Sequence, residues 1–266
     1  MTTTVTAASI GSYADIEGWF FWDDRALFDV LLESQAGNGT LVELGAYLGR
    51  SAVVIGDHLR EGERFVVVDL FGADTDDIAN RRENSGSYAT LTRSRFEANY
   101  LALHDTLPEV VQGRSTEIVE HVEPGSVRFV HVDASHLYAQ VAEDIAAIKN
   151  VMQPNGIVVF DDYRAEHTPG VAAAVWGATA TTGLTPFALT RYKLYATWGD
   201  AGTHVDVLRD FLRIENRMGC SEHQILGNPV LLLKAKPKAK PAAAPAPTRR
   251  SDWLPPALVD FLRARR

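Results

Sequence analysis

Four polar residues in the middle of the chain have side chains that could take part in one reaction. Asp133 directly follows a strand-like run of apolar residues, and Asp161 and Asp162 directly follow the next such run. His136 stands three residues after Asp133. In a parallel α/β sheet the carboxyl ends of neighbouring strands line one crevice, and ligands bind there. We therefore expect the three carboxylates and the imidazole to face the same cleft.

Three carboxylates in one cleft repel one another, and a bound cation is the usual remedy. An all-oxygen ligand set selects a hard metal ion, so Asp133, Asp161 and Asp162 predict a Mg²⁺ site. A hydroxyl on a divalent ion becomes more acidic, and a neutral histidine beside it can take the proton. We interpret His136 as this base. The alternative is a surface histidine at the start of a helix.

A glycine-containing turn predicts a second binding site. Residues 41–51 read L-V-E-L-G-A-Y-L-G-R-S: an apolar strand that ends near Glu43, a turn with Gly45 and Gly49, and the start of a helix. This spacing differs from the G-x-G-x-x-G of dinucleotide-binding turns. An acid beside the turn would repel a pyrophosphate and suit a cation, such as the ammonium or sulfonium of S-adenosylmethionine. The alternative is an ordinary turn that packs a helix on a strand.

Asp69 ends the next strand-like run, R-F-V-V-V-D-L. Doubly wound folds use an acid at this position to hold ribose hydroxyls. The alternative role is a carboxylate that caps a helix.

Two longer patterns resemble a known group of enzymes. Residues 43–49 resemble motif I of the class I S-adenosylmethionine-dependent methyltransferases, E/D-x-G-x-x-x-G. The stretches V-H-V-D-A-S-H-L-Y and M-Q-P-N-G-I-V-V-F-D-D-Y are similar to the metal-dependent sugar and small-molecule O-methyltransferases, among them the macrocin and mycinamicin O-methyltransferases. This resemblance covers about residues 19–233. It implies a Rossmann-like α/β fold, with a seven-stranded, mostly parallel sheet and helices on both faces.

The resemblance also implies site roles and a reaction. Mg²⁺ would be held by Asp133, Asp161 and Asp162, with His136 as the base. The turn that carries Ser115 lies near the adenine in this family. The residues expected to bind S-adenosylmethionine are Glu43, Gly45, Ser51, Asp69, Ser115 and Asp133. The implied reaction is methyl transfer to a hydroxyl of a sugar in a glycoside, oligosaccharide or glycosylated natural product. The methylated mannose polysaccharide pathway of mycobacteria is one possible setting.

Three alternatives remain open. A catechol-type O-methyltransferase is disfavoured because His136 stands where those enzymes have lysine. A non-catalytic binding module that keeps the fold is disfavoured because the acids and His136 are intact. A nicotinamide-dependent oxidoreductase is disfavoured by the glycine spacing.

The sequence pattern predicts the elements that must position these residues. Asp23 and Asp24 are expected to cap the first helix. Helices are predicted over residues 52–59, 90–103, 138–152, 171–179 and 205–218. Strands are predicted at 40–43, 64–70, 109–112, 126–132, 157–160, 193–197 and 230–233, with a turn at 153–156. Residues 71–89 are long for a connection between a strand and a helix and are a candidate lid, and the sequence does not decide whether they close on a substrate.

Several side chains have open roles. The aromatic cluster at residues 18–22 is interpreted as helix packing, with a dimer contact or a wall of the acceptor site as alternatives. His131 is expected to be a core or supporting residue. Tyr163, Arg164 and His167 either face a polyhydroxylated acceptor or belong to an exposed loop.

Composition sets the remaining expectations. We predict a methyltransferase domain at 1–233, a Pro/Ala/Lys linker at 234–250 and an amphipathic segment at 251–266. Residues 234–266 carry nine Lys and Arg against two Asp and Glu, and the rest of the chain carries 17 against 32. The acidic body argues against nucleic-acid binding. The single cysteine and the lack of a long apolar segment predict a cytoplasmic protein without a membrane partner. A homodimer is expected.

Overall fold

The structure is a computed structural model, and it describes residues 10–73 and 91–236. The strands are β1 (Thr40–Leu44), β2 (Phe65–Asp69), β3 (Glu109–Gln112), β4 (Val127–Val132), β5 (Met152–Phe160), β6 (Thr185–Leu189), β7 (Leu194–Thr197), β8 (Met218–Ile225) and β9 (Asn228–Ala235). The helices are α1 (Trp22–Ser34), α2 (Arg50–Gly56), α3 (Arg93–Leu101), α4 (Ile118–His121), α5 (Tyr138–Val151), α6 (Pro169–Thr181) and α7 (Ala201–Ile214). Short 3₁₀ turns lie at Tyr13–Asp15 and Ser115–Glu117.

The strands of the described residues form one sheet in the order β3-β2-β1-β4-β5-β7-β6-β9-β8. The first five strands in this order are parallel, and β7 pairs antiparallel with β5. The expected Rossmann-like α/β fold is confirmed. The sheet has nine strands rather than the expected seven. The two additional strands are β6 and β8, which were not predicted from the sequence.

The central strands are covered on both faces of the sheet. Every residue of β1 and of β4 is buried. Leu41 belongs to one apolar cluster, whereas Val42 and Leu44 belong to a second cluster. Because successive side chains of a strand point to opposite faces, these two clusters lie on the two faces of the sheet.

Three boundaries differ from the sequence predictions. Helix α1 starts at Trp22 with Phe21 as its N-cap residue, so Asp23 and Asp24 do not cap it. Helix α7 ends at Ile214, where Glu215 takes an extended conformation, and the chain then enters β8. The predicted turn at 153–156 lies within β5, since Met152 already pairs with Val127 of β4.

The strand register brings distant polar residues together. Glu43 of β1 pairs with His131 of β4. Phe160 of β5 pairs with Leu194 of β7 across an antiparallel ladder. The residue after Phe160 and the residue before Leu194 are therefore also neighbours, and these are Asp161 and Lys193.

Some sequence predictions fall outside the described residues. Most of the predicted lid, all but three residues of the linker and the whole segment 251–266 belong to this group. These remain predictions. In the part of the chain that is described, no helix is both long enough and apolar enough to cross a membrane.

A buried ion pair connects the chain just before β2 with the start of β4. The guanidinium of Arg128 donates two hydrogen bonds of 2.7 Å to the carboxylate of Glu63, and their side chains are 2% and 0% exposed. Arg128 also donates to the side chain of Gln35 and to the carbonyl of His58. Burial raises the pKa of Glu63, but the hydrogen bond from Arg128 and two from backbone N–H groups lower it overall.

We predict that Arg128→Met destabilises the protein by about 3–5 kcal/mol, because it leaves the Glu63 carboxylate buried without its partner. Chemical denaturation followed by circular dichroism measures this loss. Arg209→Met, which removes an exposed ion pair, is the control and should change stability by about 1 kcal/mol or less. Equal denaturation midpoints for the two variants would contradict the prediction.

Candidate active site

Strained backbone marks the carboxyl edge of the sheet. Four non-glycine residues of the described chain have positive φ, and three of them follow parallel strands. These three are Tyr47 (φ 49°) after β1, Phe71 (φ 47°) after β2 and Asp162 (φ 53°) after β5. Such conformations cost free energy and concentrate at functional sites. The strain therefore indicates the same edge that the sequence predicted.

The turn after β1 packs directly on the chain after β4. Gly45 has φ +80°, and a Cβ built there would lie 2.2 Å from the main-chain oxygen of Asp133. The Asp133 N–H donates to the carbonyl of Leu44 at 2.7 Å. The glycine at position 45 is therefore required both by its φ and by the close approach of the two backbones.

Asp69 organises this glycine turn. Its Oδ2 accepts hydrogen bonds from the N–H groups of Ala46 (2.7 Å) and Tyr47 (3.0 Å). Its Oδ1 accepts from the N–H of Phe71 at 2.6 Å. Desolvation raises the pKa of Asp69, although these three backbone hydrogen bonds oppose the shift. Asp69 is thus shown to join β2 to the turn, and its contact with ribose remains a prediction.

Glu43 and His131 form a buried pair beneath the turn. The Nδ1 atom of His131 lies 2.8 Å from Oε1 of Glu43, and the two side chains are 1% and 0% exposed. The second carboxylate oxygen, Oε2 of Glu43, is buried without a hydrogen-bond partner among the described residues. An unpaired buried carboxylate oxygen is costly, and it points to a ligand that donates to it.

Lys193 lies between His131 and Asp161. Its ammonium is 3.0 Å from Nε2 of His131 and makes a very short ion pair with Oδ2 of Asp161. Burial alone would raise the pKa of Asp161, but the charge of Lys193 lowers it well below its usual range. The backbone N–H of Asp162 donates to the other oxygen of Asp161 at 2.8 Å.

A further buried acid stands close to this ammonium. Asp24 of α1 accepts hydrogen bonds from the hydroxyls of Tyr195 (2.7 Å) and Thr190 (2.9 Å). Burial raises the pKa of Asp24 to about 6, although the positive charge of Lys193 opposes the shift. The sequence analysis missed both Lys193 and Asp24. The available signal was a lysine at the start of an otherwise apolar strand, and an acid one helical turn before the apolar Leu27 and Phe28.

One group of side chains could hold a metal ion. Ligand atoms of His131, Asp133 and Asp161 all lie within 4.8 Å of one another. Asp133 is the exposed member of the group. Surrounding protein atoms and the negative charges of Asp161 and Asp162 raise its pKa well above the usual range. The carboxylates are therefore crowded, as the sequence predicted, but His131 takes the place of Asp162 in this group.

His136 stands beside Asp162. Its Nε2 is 3.5 Å from Oδ2 of Asp162, and its ring lies 5.9 Å from the ring of His167 in an edge-on arrangement. The structure thus brings the predicted base next to one of the predicted ligands. Tyr163, by contrast, is 3% exposed and does not face an acceptor, because its ring packs into the apolar core.

The two predicted cofactor serines have different surroundings. Ser115 donates a 2.5 Å hydrogen bond to Oδ1 of Asp144 in α5. Burial raises the pKa of Asp144 to about 6, and its Oδ2 has no partner in the described chain. Ser51 lies buried in the first turn of α2. Neither arrangement tests the expected contact with cofactor.

The aromatic cluster at residues 18–22 divides between core and surface. Phe20 is buried, and its ring packs against Phe28. Trp19 is 63% exposed and packs on Tyr47 of the glycine turn, at 5.6 Å between ring centroids. Phe21 is 44% exposed and stacks on Tyr192. Helix and core packing explains Phe20, and the two exposed rings are available for binding.

Comparisons with known proteins agree with this geometry. Residues 42–163 match the sequence model of a family described as a methyltransferase domain. Among curated proteins the comparison finds no match. One similar solved structure is the O-methyltransferase NovP, with a TM-score of 0.52 and 16% identity, which covers 66% of this chain and 78% of that chain.

Two further structures share less of the fold. CalS11, a TDP-rhamnose 3′-O-methyltransferase of calicheamicin biosynthesis, has a TM-score of 0.46 and 19% identity and covers 66% of this chain and 76% of that chain. TomG from Streptomyces achromogenes, an O-methyltransferase solved with S-adenosylmethionine, has a TM-score of 0.37 and 18% identity, at coverages of 80% and 78%.

The matched residues contain the glycine turn, Asp69, the group at Asp133 and the acids after β5. This domain match identifies the chain as an enzyme that carries a methyltransferase domain at residues 42–163.

We predict that Gly45→Ala lowers the affinity for S-adenosylhomocysteine at least about tenfold, because the new Cβ displaces the turn from Asp133. Isothermal titration calorimetry measures the affinity. Gly62→Ala is the matched control: its φ is +79°, but nothing lies within 4 Å of an added Cβ. Gly62→Ala should bind as wild type does. Equal affinities for the two variants would show that the close approach at Gly45 does not shape the cofactor site.

Proposed function

We propose that this methyltransferase transfers the methyl group of S-adenosylmethionine to a hydroxyl of a sugar, in a reaction that depends on Mg²⁺. The observation that carries the proposal is the convergence of an exposed Asp133, the ion-paired Asp161 and the His136–Asp162 pair at one edge of the sheet. The acceptor is expected to be a glycoside, an oligosaccharide or a glycosylated natural product.

The residues present fit S-adenosylmethionine. The unpaired Oε2 of Glu43 supplies a buried acceptor for the ammonium group, and Asp69 holds the turn in shape through its backbone hydrogen bonds. Asp69, Ser51, Ser115 and Asp133 are proposed to complete the binding site. S-adenosylmethionine supplies an activated methyl group, and its loss leaves S-adenosylhomocysteine.

The residues present also fit a divalent cation. Asp133 and Asp161 are crowded enough that the negative charge of Asp161 raises the pKa of Asp133. We propose that Mg²⁺ is held by Asp133 and Asp161, with Asp162 as the third acid. Mg²⁺ would make the acceptor hydroxyl more acidic. Oxygen donors of this kind are those that Mg²⁺ prefers.

His136 is proposed as the base that takes the proton of the acceptor hydroxyl. The Asp162 carboxylate, 3.5 Å from its Nε2, would stabilise the imidazolium that forms. The deprotonated hydroxyl oxygen would form its bond to the methyl carbon as the methyl–sulfur bond of S-adenosylmethionine breaks, and His136 would keep the proton until it passes to solvent.

A sugar acceptor is supported by two observations. The stretches around Asp133 and Asp161 are similar to those of sugar O-methyltransferases. The exposed ring of Trp19 packs on Tyr47 of the glycine turn, and that of Phe21 stacks on Tyr192. The carbonyl of Tyr192 accepts a hydrogen bond from the N–H of Tyr163, the residue after Asp162. Aromatic rings at a cleft edge can pack on the apolar face of a pyranose.

We predict methyl transfer from labelled S-adenosylmethionine to at least one mannoside or other glycoside, and no transfer once EDTA removes Mg²⁺. His136→Ala should lower kcat by about 10²- to 10⁴-fold, the usual contribution of a general base. His223→Ala, at an exposed position of β8, should leave kcat unchanged. Transfer only to catechols would contradict the sugar assignment, and transfer that survives EDTA would contradict the metal site.

We also predict that Asp133→Asn raises the melting temperature of the metal-free protein at pH 7, because it removes a carboxylate that Asp161 and Asp162 repel. The sign follows from the raised pKa: in the folded state the ionised form is disfavoured, so its charge costs stability above the ordinary pKa of Asp. Differential scanning fluorimetry measures this. MgCl₂ should raise the melting temperature of wild type and leave that of Asp133→Asn unchanged. An equal rise for both proteins would contradict a site at Asp133.

A further inference from the structure

The ammonium of Lys193 is the centre of a buried polar chain, and neither Lys193 nor His131 has a role in the proposed reaction. The chain runs from Glu43 through His131 and Lys193 to Asp161. The Lys193 side chain is 1% exposed, and its ammonium lies 5.4 Å from the ring centre of Phe20. Each member is therefore shielded from water, and its hydrogen bonds must be made within the chain.

Donor chemistry fixes the direction of these hydrogen bonds. An ammonium only donates, so the 3.0 Å contact with Nε2 of His131 requires a lone pair on that nitrogen. The proton of the neutral imidazole must then be on Nδ1, which donates to Oε1 of Glu43 at 2.8 Å. Glu43 consequently accepts on Oε1 and keeps Oε2 without a partner.

The charges around Lys193 support its protonated form. The carboxylates of Asp161, Asp24 and Asp133 lie around its amino group. Asp161 is the nearest of these acids, through its very short ion pair with Lys193. This ion pair identifies the Lys193 side chain as an ammonium.

We propose that Lys193 is a positioning residue for the cofactor: it holds His131 in the Nδ1–H tautomer, and His131 in turn holds Glu43 so that its buried, unpaired Oε2 can accept from the ammonium of S-adenosylmethionine. This inference rests on the cofactor binding in the proposed function, and it does not depend on the acceptor or on Mg²⁺.

Loss of Lys193 removes the constraint on the imidazole. With Nε2 no longer accepting from an ammonium, His131 can place its proton on Nε2, which lies 3.7 Å from Oδ2 of Asp161. The Nδ1 lone pair would then face Oε1 of Glu43, and the two acceptors would repel each other. Glu43 would turn away from His131, and its Oε2 would then be held less well for the cofactor ammonium.

The first test uses the wild-type protein alone. Long-range ¹H–¹⁵N correlation spectra of ¹⁵N-histidine-labelled protein distinguish the two imidazole tautomers at neutral pH. We expect His131, assigned with a His131→Gln variant, to show the Nδ1–H form. A His131 signal in the Nε2–H form or in the doubly protonated form would overturn the proposal, whether or not any Lys193 variant folds.

The second test measures binding of S-adenosylhomocysteine by calorimetry. Lys193→Met should weaken binding by about 10- to 100-fold, the value of one charge-assisted hydrogen bond. Combined with Glu43→Gln it should cause no further loss, because both changes remove the same interaction. Arg128→Met is the matched control: it also removes a buried, ion-paired cation from the sheet, and its affinity should equal that of wild type.

The outcomes separate the two proposals. Equal affinities for wild type and Lys193→Met would overturn the role of Lys193 and leave the proposed function intact. Equal losses in Lys193→Met and Arg128→Met would show a general structural effect and would also overturn it. A wild-type protein that binds no S-adenosylhomocysteine would overturn the proposed function, and this inference with it.

Discussion

The ion pair between Lys193 and Asp161 is the interaction on which the rest of the site depends. A charge in the interior is costly unless it is paired and hydrogen-bonded. Here the ammonium meets Asp161 on one side and His131 on the other, so β7, β5 and β4 are linked through their side chains as well as their backbones. The link continues to β1 through Glu43. A single buried lysine thus connects Glu43, through His131, to Asp161.

Close contact between two backbone segments shapes the edge of the sheet. Gly45 lies against the main chain of Asp133, and Asp69 holds the adjacent turn by hydrogen bonds from its N–H groups. Tyr47, Phe71 and Asp162 adopt strained conformations after three of the parallel strands. Such conformations persist where the surrounding structure holds them, and here a buried core lies on both faces of the sheet. Asp133 and the His136–Asp162 pair lie at this same edge of the sheet.

Local pattern was enough to predict the parallel half of the molecule. The apolar runs before Glu43, Asp69, Asp133 and Asp161 are strands, and their order brings those acids to one edge. The antiparallel half was less predictable, because the apolar run of β6 contains a proline, Pro186, and five of the eight residues of β8 are exposed. Lys193 and Asp24 were missed for a related reason, since their partners are distant in sequence and are set by the register of β5 with β7.

The division of roles among the acids also required the structure. Spacing alone could not show that Asp161 is neutralised by a lysine, or that Asp162 lies beside His136. It could not show that both carboxylate oxygens of Asp69 accept hydrogen bonds from backbone N–H groups, those of Ala46 and Phe71. Each of these facts depends on where a side chain points after its strand ends, and that direction is set by tertiary packing.

The most direct measurement is a crystal structure of the protein with S-adenosylhomocysteine and Mn²⁺ in place of Mg²⁺. We predict the ammonium of the ligand within hydrogen-bond distance of Oε2 of Glu43, and an anomalous peak for manganese at the carboxylate of Asp133. A ligand bound at this edge with Oε2 still unpaired, or manganese bound away from Asp133 and Asp161, would contradict the account of how this site works.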